Sequence, residues 1–263
     1  MCQLPDDLST GDLAWIRLAR RIEHDRPDLA LLNEMPFGPW VSRAASLDEA
    51  TVAVTLLEHE IALNSLAALT TATLCSRPVR NANKLANEAF LMANGEYRVV
   101  HHKHYFPQEA GFYESSWFAH SRPGFDVAEY RGIRIGVLLC TELMFSEWAR
   151  HYRRQGAHVI VCPRASGMSM QYWDAAARMA AIVSGCYVLS SNRAARALSP
   201  EPRFGGRGFA YSPTGELLGE TSEAAPFLCV DIDKQRVTEA QRNYPCNVRE
   251  LADETQLAEV AQH

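Results

Sequence analysis

The sequence predicts an α/β fold: a mixed sheet, or two packed sheets with helices outside. Three observations predict it. Segments of helical period alternate with short apolar runs of strand length. Hairpin signals interrupt that alternation, which a purely parallel sheet would not allow. Polar, chemistry-bearing residues recur where apolar runs end, as they do at the strand ends of layered α/β proteins.

The elements follow in order. Residues 10–25 carry Leu13, Ile16, Leu18 and Ile22 as a helical stripe ending before Pro27. Leu29-Ala30-Leu31-Leu32 reads as a buried strand running into Asn33-Glu34-Met35-Pro36. Ser46-Leu47-Asp48-Glu49 matches a capping box and predicts a helix to about Leu63. Leu66 to Leu74 is strand-like. Runs 89–92 and 97–100 flank Asn94-Gly95, the strongest short hairpin signal. A polar and aromatic stretch, 104–125, leads to a second pair of strands about Arg131-Gly132. Residues 133–139 are β-type, and Thr141 to Arg150 reads as a helix. The run 158–162 is a strand stopped by Pro163, followed by a helix over about 171–184 and a strand over 186–191. A last hairpin joins 208–211 to 216–218 through Ser212-Pro213-Thr214-Gly215. No Gly-, Ser- or Pro-rich linker, low-complexity segment or repeat divides the chain. One domain over 1–263 is expected, with the polar tail after about 240 as an extension.

Composition narrows the function. With 263 residues, 47% hydrophobic, 22% charged and a net charge of −5, the chain carries no basic stripe of the kind that binds nucleic acid. Arg150, Arg153 and Arg154 read as a solvated helix face. Seven cysteines without a CxxC pair predict free thiols in a reducing compartment. The first residues have neither a basic region nor an apolar core, and no apolar run reaches membrane-spanning length. A cytoplasmic protein with no membrane partner is expected. Neither GxxxxGK[ST], GxGxxG nor GxSxG occurs, so Gly205-Gly206-Arg207-Gly208 is not a phosphate loop and a serine-hydrolase elbow is excluded.

Three strand-end residues carry the chemistry. Glu34 follows an apolar run, Lys103 follows Val99-Val100-His101-His102, and Cys140 follows Val137-Leu138-Leu139. A thiol between a strand and a helix N-terminus lies at the positive end of the helix dipole, which favours the nucleophilic thiolate. Each residue has a plainer alternative: Glu34 a helix cap, Lys103 a surface lysine, Cys140 an inert core thiol.

The flanks of these residues resemble those of the nitrilase superfamily of carbon-nitrogen hydrolases. The Glu segment is 30–37, the Lys segment 97–105 and the Cys segment 136–147. Gly156-Ala157-His158-Val159-Ile160, Pro163, Ala177-Arg178, Asn192-Arg193, 205–209 and 212–215 continue the likeness in the same order, so that it covers about residues 10 to 235. The resemblance implies an α-β-β-α four-layer sandwich and a Glu34-Lys103-Cys140 site, with Glu114 as a second glutamate. It implies that Glu34 is the general base, that Cys140 forms a thioester, and that Lys103 with the Thr141 N–H holds the oxyanion. It also implies a homodimer or larger assembly. No metal or organic cofactor is required. The expected substrate is a small linear amide or N-carbamoyl compound. A nitrile, or a catalytically silent binding protein of the same fold, is the alternative.

Other positions stay open. Strand alternation puts His102 and His104 on one face and His101 with Lys103 on the other. A metal site there lacks an acidic residue or Cys at usual spacing, so packing is the expected role. Glu142 and Glu147 are expected to be structural. Arg164 is a candidate carboxylate binder, and Trp117, Phe145 and Trp173 are candidate pocket walls. The likeness departs at the front. The family begins with a full strand ending in Gln, whereas Met1-Cys2-Gln3-Leu4-Pro5 matches only its last residues. Either the first strand is short or the native start lies upstream. A missing strand would expose backbone donors.

Overall fold

The computed structural model describes residues 1–120, 124–196 and 202–248. The strands are β1 (Gln3–Pro5), β2 (Leu29–Leu31), β3 (Ala72–Asn81), β4 (Lys84–Ala93), β5 (Glu96–His102), β6 (Ala128–Tyr130), β7 (Ile133–Val137), β8 (Val159–Arg164), β9 (Tyr187–Ala194), β10 (Phe209–Tyr211) and β11 (Leu217–Glu220). The helices are α1 (Leu13–Asp25), α2 (Glu49–Ala67), α3 (Glu114–Trp117), α4 (Ser146–Arg154), α5 (Gln171–Ser184) and α6 (Lys234–Arg242). One sheet has the order β2-β3-β4-β5. The other has the order β11-β10-β9-β8-β7-β6, with β1 alongside β9. Both sheets are mixed: β7-β8-β9 and β2-β3 are parallel, and the hairpins are antiparallel.

Strand alternation builds three core layers from these sheets. On β4, Ala89 and Leu91 face the second sheet, while Phe90 and Met92 face α1 and α2. On β8, Val159 and Val161 face the first sheet, while Ile160 and Cys162 pack under α4 and α5. Each side chain goes to the layer its parity dictates. The result is helix, sheet, sheet, helix, the four-layer order expected.

Several boundaries differ from expectation. The α2 cap is Asp48, whose carboxylate accepts from the Ala50 and Thr51 N–H groups, so Ser46 is not the cap. The helix runs on to Ala67, which absorbs the start of the run read as strand from Leu66; β3 begins at Ala72. The buried face of α1 is Trp15, Leu18 and Ile22, and Leu13 is exposed. Pro163 does not end β8. Pairing with β7 stops at Val161, so the missing Pro163 N–H falls where only β9 flanks the strand. The turn at 82–83 between β3 and β4 carries no Asn-Gly signal in the sequence. Of the tail after about 240, α6 takes up residues to Arg242, and residues 249–263 lie outside the described residues. Among the described residues no helix is long and apolar enough to cross a membrane.

Candidate active site

The ends of β2, β5 and β7 meet between the two sheets. Glu34 lies three residues past β2. Its N–H donates to the Arg164 carbonyl on β8 of the other sheet (3.3 Å), and the Met35 N–H donates to Ser76 Oγ on β3 (3.1 Å). Met35 takes φ 40°, a turn that swings the chain away from the strand. Lys103 follows β5 directly, and its N–H donates to the Asn87 carbonyl on β4 (2.9 Å). Cys140 follows β7 after Leu138 and Leu139, with φ 48°, strained for a residue with a Cβ and a recurrent feature of functional sites.

The structure brings Glu34, Lys103 and Glu114 into direct contact. Lys103 Nζ donates to Glu34 Oε1 at 2.8 Å and to Glu114 Oε2 at 2.6 Å, and all three residues are fully buried. Glu114 reaches this point from α3, a single turn inside the polar and aromatic stretch 104–125. The second oxygens, Glu34 Oε2 and Glu114 Oε1, have no hydrogen-bond partner among the described residues. Both oxygens are therefore free to accept a proton or a hydrogen bond.

Electrostatics separates the roles. Burial opposes the charge on Lys103, but Glu114 and Glu34 outweigh it and hold the ammonium pKa well above its ordinary 10.5. One cation cannot neutralise two buried carboxylates. Burial, with Glu34 adding repulsion against the pull of Lys103, pushes Glu114 up to about 7. The Cys140 thiol also rises well above its ordinary 9.0, first by burial and then by the Glu34 carboxylate, against the attraction of Lys103. This corrects the expectation of a dipole-stabilised thiolate. Residues 140–144 form a 3₁₀ turn and α4 starts only at Ser146, so Cys140 is not at the N-terminus of an α-helix. The thiol is protonated at rest and needs a base.

Two residues outside the expected set hold the site. Asn87, fully buried on β4, donates from Nδ2 to Glu34 Oε1 at 2.8 Å. Its one sequence signal is a carboxamide, next to Glu88, between Leu85-Ala86 and the apolar run 89–93. Glu142 clamps the Lys and Cys segments together. Its carboxylate accepts from the Leu139 N–H (2.7 Å) and the His104 N–H (2.7 Å), and pairs with His101 Nε2 (2.8 Å). Fully buried and engaged in this way, it is structural. Glu147 stands exposed in the first turn of α4.

The histidines depart from the alternation read from sequence, because β5 ends at His102. His102 pairs with Glu88 at 3.0 Å, while His101 and His104 share Glu142. Glu142, distant in sequence, thus supplies the carboxylate that local spacing lacked, and the donor atoms of His101, His104 and Glu142 lie within 4.8 Å of one another. Glu142 already serves two backbone amides there, so the cluster reads as a packing clamp.

The expected binding residues are spread more widely. Thr141 and Phe145 lie half-buried in and beside the Cys140 turn, with Phe145 against Tyr105 at 3.9 Å between ring centres. Trp117 is buried one turn from Glu114 and donates from Nε1 to the Ala44 carbonyl (2.6 Å). Arg164 is buried and pairs with no carboxylate among the described residues. It donates to Ser190 Oγ (2.7 Å), Ser166 Oγ (3.1 Å) and the Arg207 carbonyl (2.9 Å), with Trp173 and Phe209 against its guanidinium. Those neutral contacts tie β8 to β9 and to the 205–208 loop and leave little of the guanidinium open to a substrate carboxylate. Desolvation lowers its pKa to about 10.

The fold and these motifs can be set beside known proteins. The carbon-nitrogen hydrolase family profile matches residues 2–242. N-carbamoylputrescine amidase of Solanum tuberosum is 26% identical over 250 residues, 87% of this chain and 83% of that protein. The carbon-nitrogen hydrolase of Helicobacter pylori G27 superimposes with a TM-score of 0.83 over 98% of this chain and 96% of the other, at 21% identity. A glutamate-to-glutamine mutant of the amidase from Nesterenkonia sp. AN1, described as showing covalent addition of the acetamide moiety of fluoroacetamide at its active-site cysteine, superimposes at a TM-score of 0.69 over 84% of each chain, at 19% identity. With a family match across nearly its whole length, the chain belongs to the carbon-nitrogen hydrolases of the nitrilase superfamily and is an enzyme that acts on C–N bonds.

Proposed function

We propose that the protein hydrolyses the C–N bond of a small linear amide or N-carbamoyl compound through a thioester on Cys140. The observation that carries this reading is the buried Glu34–Lys103–Glu114 array beside a protonated thiol, with one oxygen of each carboxylate unengaged. Glu34 Oε2 accepts the Cys140 proton as Sγ attacks the carbonyl carbon. The C=O electron pair moves onto oxygen, and the Lys103 ammonium with the Thr141 N–H stabilises the charge that develops there. Collapse breaks the C–N bond, and the proton held on Glu34 goes to the departing nitrogen, so ammonia or an amine leaves neutral. Water then enters, gives a proton to Glu34 and attacks the thioester. The acid departs and the proton returns to Cys140. Glu114 keeps Lys103 fixed and charged, and its free Oε1 faces a proton or the substrate N–H.

The activities for which the relatives are named lean the same way. They include N-carbamoylputrescine amidase, citrullinase and omega-amidase. Free cysteines among the described residues fit a cytoplasmic setting, and the shared strands of the three cores support one hydrolase domain. Met168, Tyr172 and Met179, all exposed in and before α5, supply an apolar face for a homo-oligomer.

The test is a panel of linear amides, ω-amides, N-carbamoyl compounds and nitriles scored for ammonia release, with intact-mass detection of an acyl adduct. Turnover of an amide or carbamoyl compound with an adduct on Cys140 is expected. Preferred conversion of nitriles would replace the substrate assignment. Absence of turnover and adduct throughout would favour a silent binding protein.

A further inference from the structure

β5 carries one residue more than the stretch of β4 it pairs with. Counting from the Asn94-Gly95 turn, Ala93 pairs with Glu96, Met92 with Tyr97, Leu91 with Arg98 and Phe90 with Val99. The next pairs are Ala89 with His101 and Glu88 with His102, and the Lys103 N–H then donates to the Asn87 carbonyl. Val100 falls between the two runs with no residue of β4 opposite it. It is the extra residue of a β-bulge.

That residue changes the face of everything beyond it. Before the bulge, Tyr97 stacks on Phe90 on the side of α1 and α2, while Arg98 reaches the Glu129 carbonyl on β6 of the other sheet. Val100 packs in the layer between the sheets. An unbroken strand would keep this parity, so that His102 would stand opposite Asn87 and point into the site, with Lys103 turned outward. With Val100 as the extra residue, His101 and Lys103 point inward and His102 outward.

Three consecutive side chains then meet carboxylates on alternate faces. His101 Nε2 lies 2.8 Å from Glu142 between the sheets, and His102 Nε2 lies 3.0 Å from Glu88 on the helix side. Lys103 turns back between the sheets to Glu34 and Glu114. Glu88 is the one carboxylate that grips β5 on both sides of the bulge. Its Oε2 faces His102, beyond the extra residue, and its Oε1 accepts from the Tyr97 hydroxyl, ahead of it. Arg77, directly opposite on β3, holds Glu88 in turn at 3.6 Å.

We infer that Glu88 is a positioning residue for Lys103: by holding Tyr97 and His102 across the bulge, it fixes which residue of the His101-His102-Lys103 run enters the site. The inference rests on the catalytic role proposed for Lys103. Without Glu88 the bulge-free register becomes a competitor. In that register His102 takes the place opposite Asn87, and its imidazole brings an N–H donor to the buried carboxylates in place of the ammonium.

The test follows Lys103 by labelling as well as by turnover. The chain has three lysines, and Lys84 and Lys234, neither of them buried, serve as internal controls. Acylation with an N-hydroxysuccinimide ester, read peptide by peptide by mass spectrometry, should leave the buried Lys103 of the parent unmodified. Glu88→Leu is expected to raise labelling at Lys103 at least about tenfold against the controls. On an amide that the parent turns over, it is also expected to lower kcat roughly 10- to 100-fold with KM little changed. Two second changes should reverse both effects. His102→Val removes the competing side chain, and deletion of Val100 lets an unbroken strand carry Lys103 to the inward face. A merely structural loss at Glu88 would be deepened by either change. Deletion of Val100 alone should leave Lys103 unlabelled, and it carries the test if Glu88→Leu does not fold. The inference is overturned if Glu88→Leu leaves labelling as in the parent, if neither second change reverses it, or if Lys103 becomes reactive in the Val100 deletion. Labelling that responds as expected while turnover stays at the parent level would uphold the register lock and overturn the catalytic role of Lys103.

Discussion

Replacing Lys103 by Met removes the one cation between two fully buried carboxylates while keeping most of the side-chain volume. At 2.8 and 2.6 Å from Glu34 and Glu114, each contact is worth about 6 kcal/mol at an effective dielectric near 20. Desolvation of the ions offsets most of this, so the net effect of deleting one partner is about 3–5 kcal/mol of lost stability. For a chain of this size that is roughly 6–20 °C in melting temperature. The pH dependence is the sharper readout. A carboxylate whose folded pKa is raised binds its proton more tightly in the folded than in the unfolded state. Its contribution is fully present below the unfolded value and is lost as pH rises through the folded one. Glu114 already stands near 7 against an ordinary 4.5. Without Lys103 the raised Glu114 carboxyl is neutral in mild acid, and above neutrality its charge stands beside Glu34 with no cation between them. Urea unfolding at about pH 8 and about pH 5.5 is the assay, and the deficit should be largest at the higher pH. An unchanged midpoint at the higher pH, or an equal deficit at both, would refute the reasoning. Adding Glu114→Gln to Lys103→Met should recover part of the loss, a coupling that two independent sites would not show.

Three further outcomes are expected. Cys140→Ala should lower kcat by roughly 10⁴-fold or more and leave the unfolding midpoint within about 1 kcal/mol of the parent; full activity on a true substrate would sink the thioester mechanism. Asn87→Ala removes the 2.8 Å hydrogen bond to Glu34, a bond to a charged group worth about 1.5–3 kcal/mol, so kcat should fall roughly 10- to 100-fold with KM little changed. A pure KM effect would remove Asn87 from the positioning of the base. Glu114 titrates near 7, so the acidic limb of the kcat/KM profile should lie close to that pH and vanish in Glu114→Gln. Persistence of the limb in that variant would assign it to another group.

Much of the architecture was legible because it rests on local pattern. The β4–β5 hairpin follows from Asn94-Gly95, with Asn94 at φ 53° and Gly95 at φ 77° as its turn requires. The alternating residues of β4 and β8 are sorted between core layers by parity. Boundaries were less legible where one signal competed with another. Asp48 displaced Ser46 as the α2 cap, and the helix overran apolar residues equally suited to a strand. α3 leaves no mark on the sequence pattern because one helical turn has no periodicity to show.

Strand-end residue types and their flanks, read from the sequence alone, determined which side chains are candidates for the chemistry and which family the motifs resemble. Only the tertiary structure decided how they act together. Glu34, Lys103 and Glu114 come from segments far apart in sequence, and nothing local says that one ammonium will be shared by two carboxylates. The same holds for Asn87 behind Glu34 and for Glu142 joining the Lys and Cys segments. The state of Cys140 was decided there as well, because a thiol's pKa depends on burial and on charges brought close by folding, and here these keep the proton on sulfur.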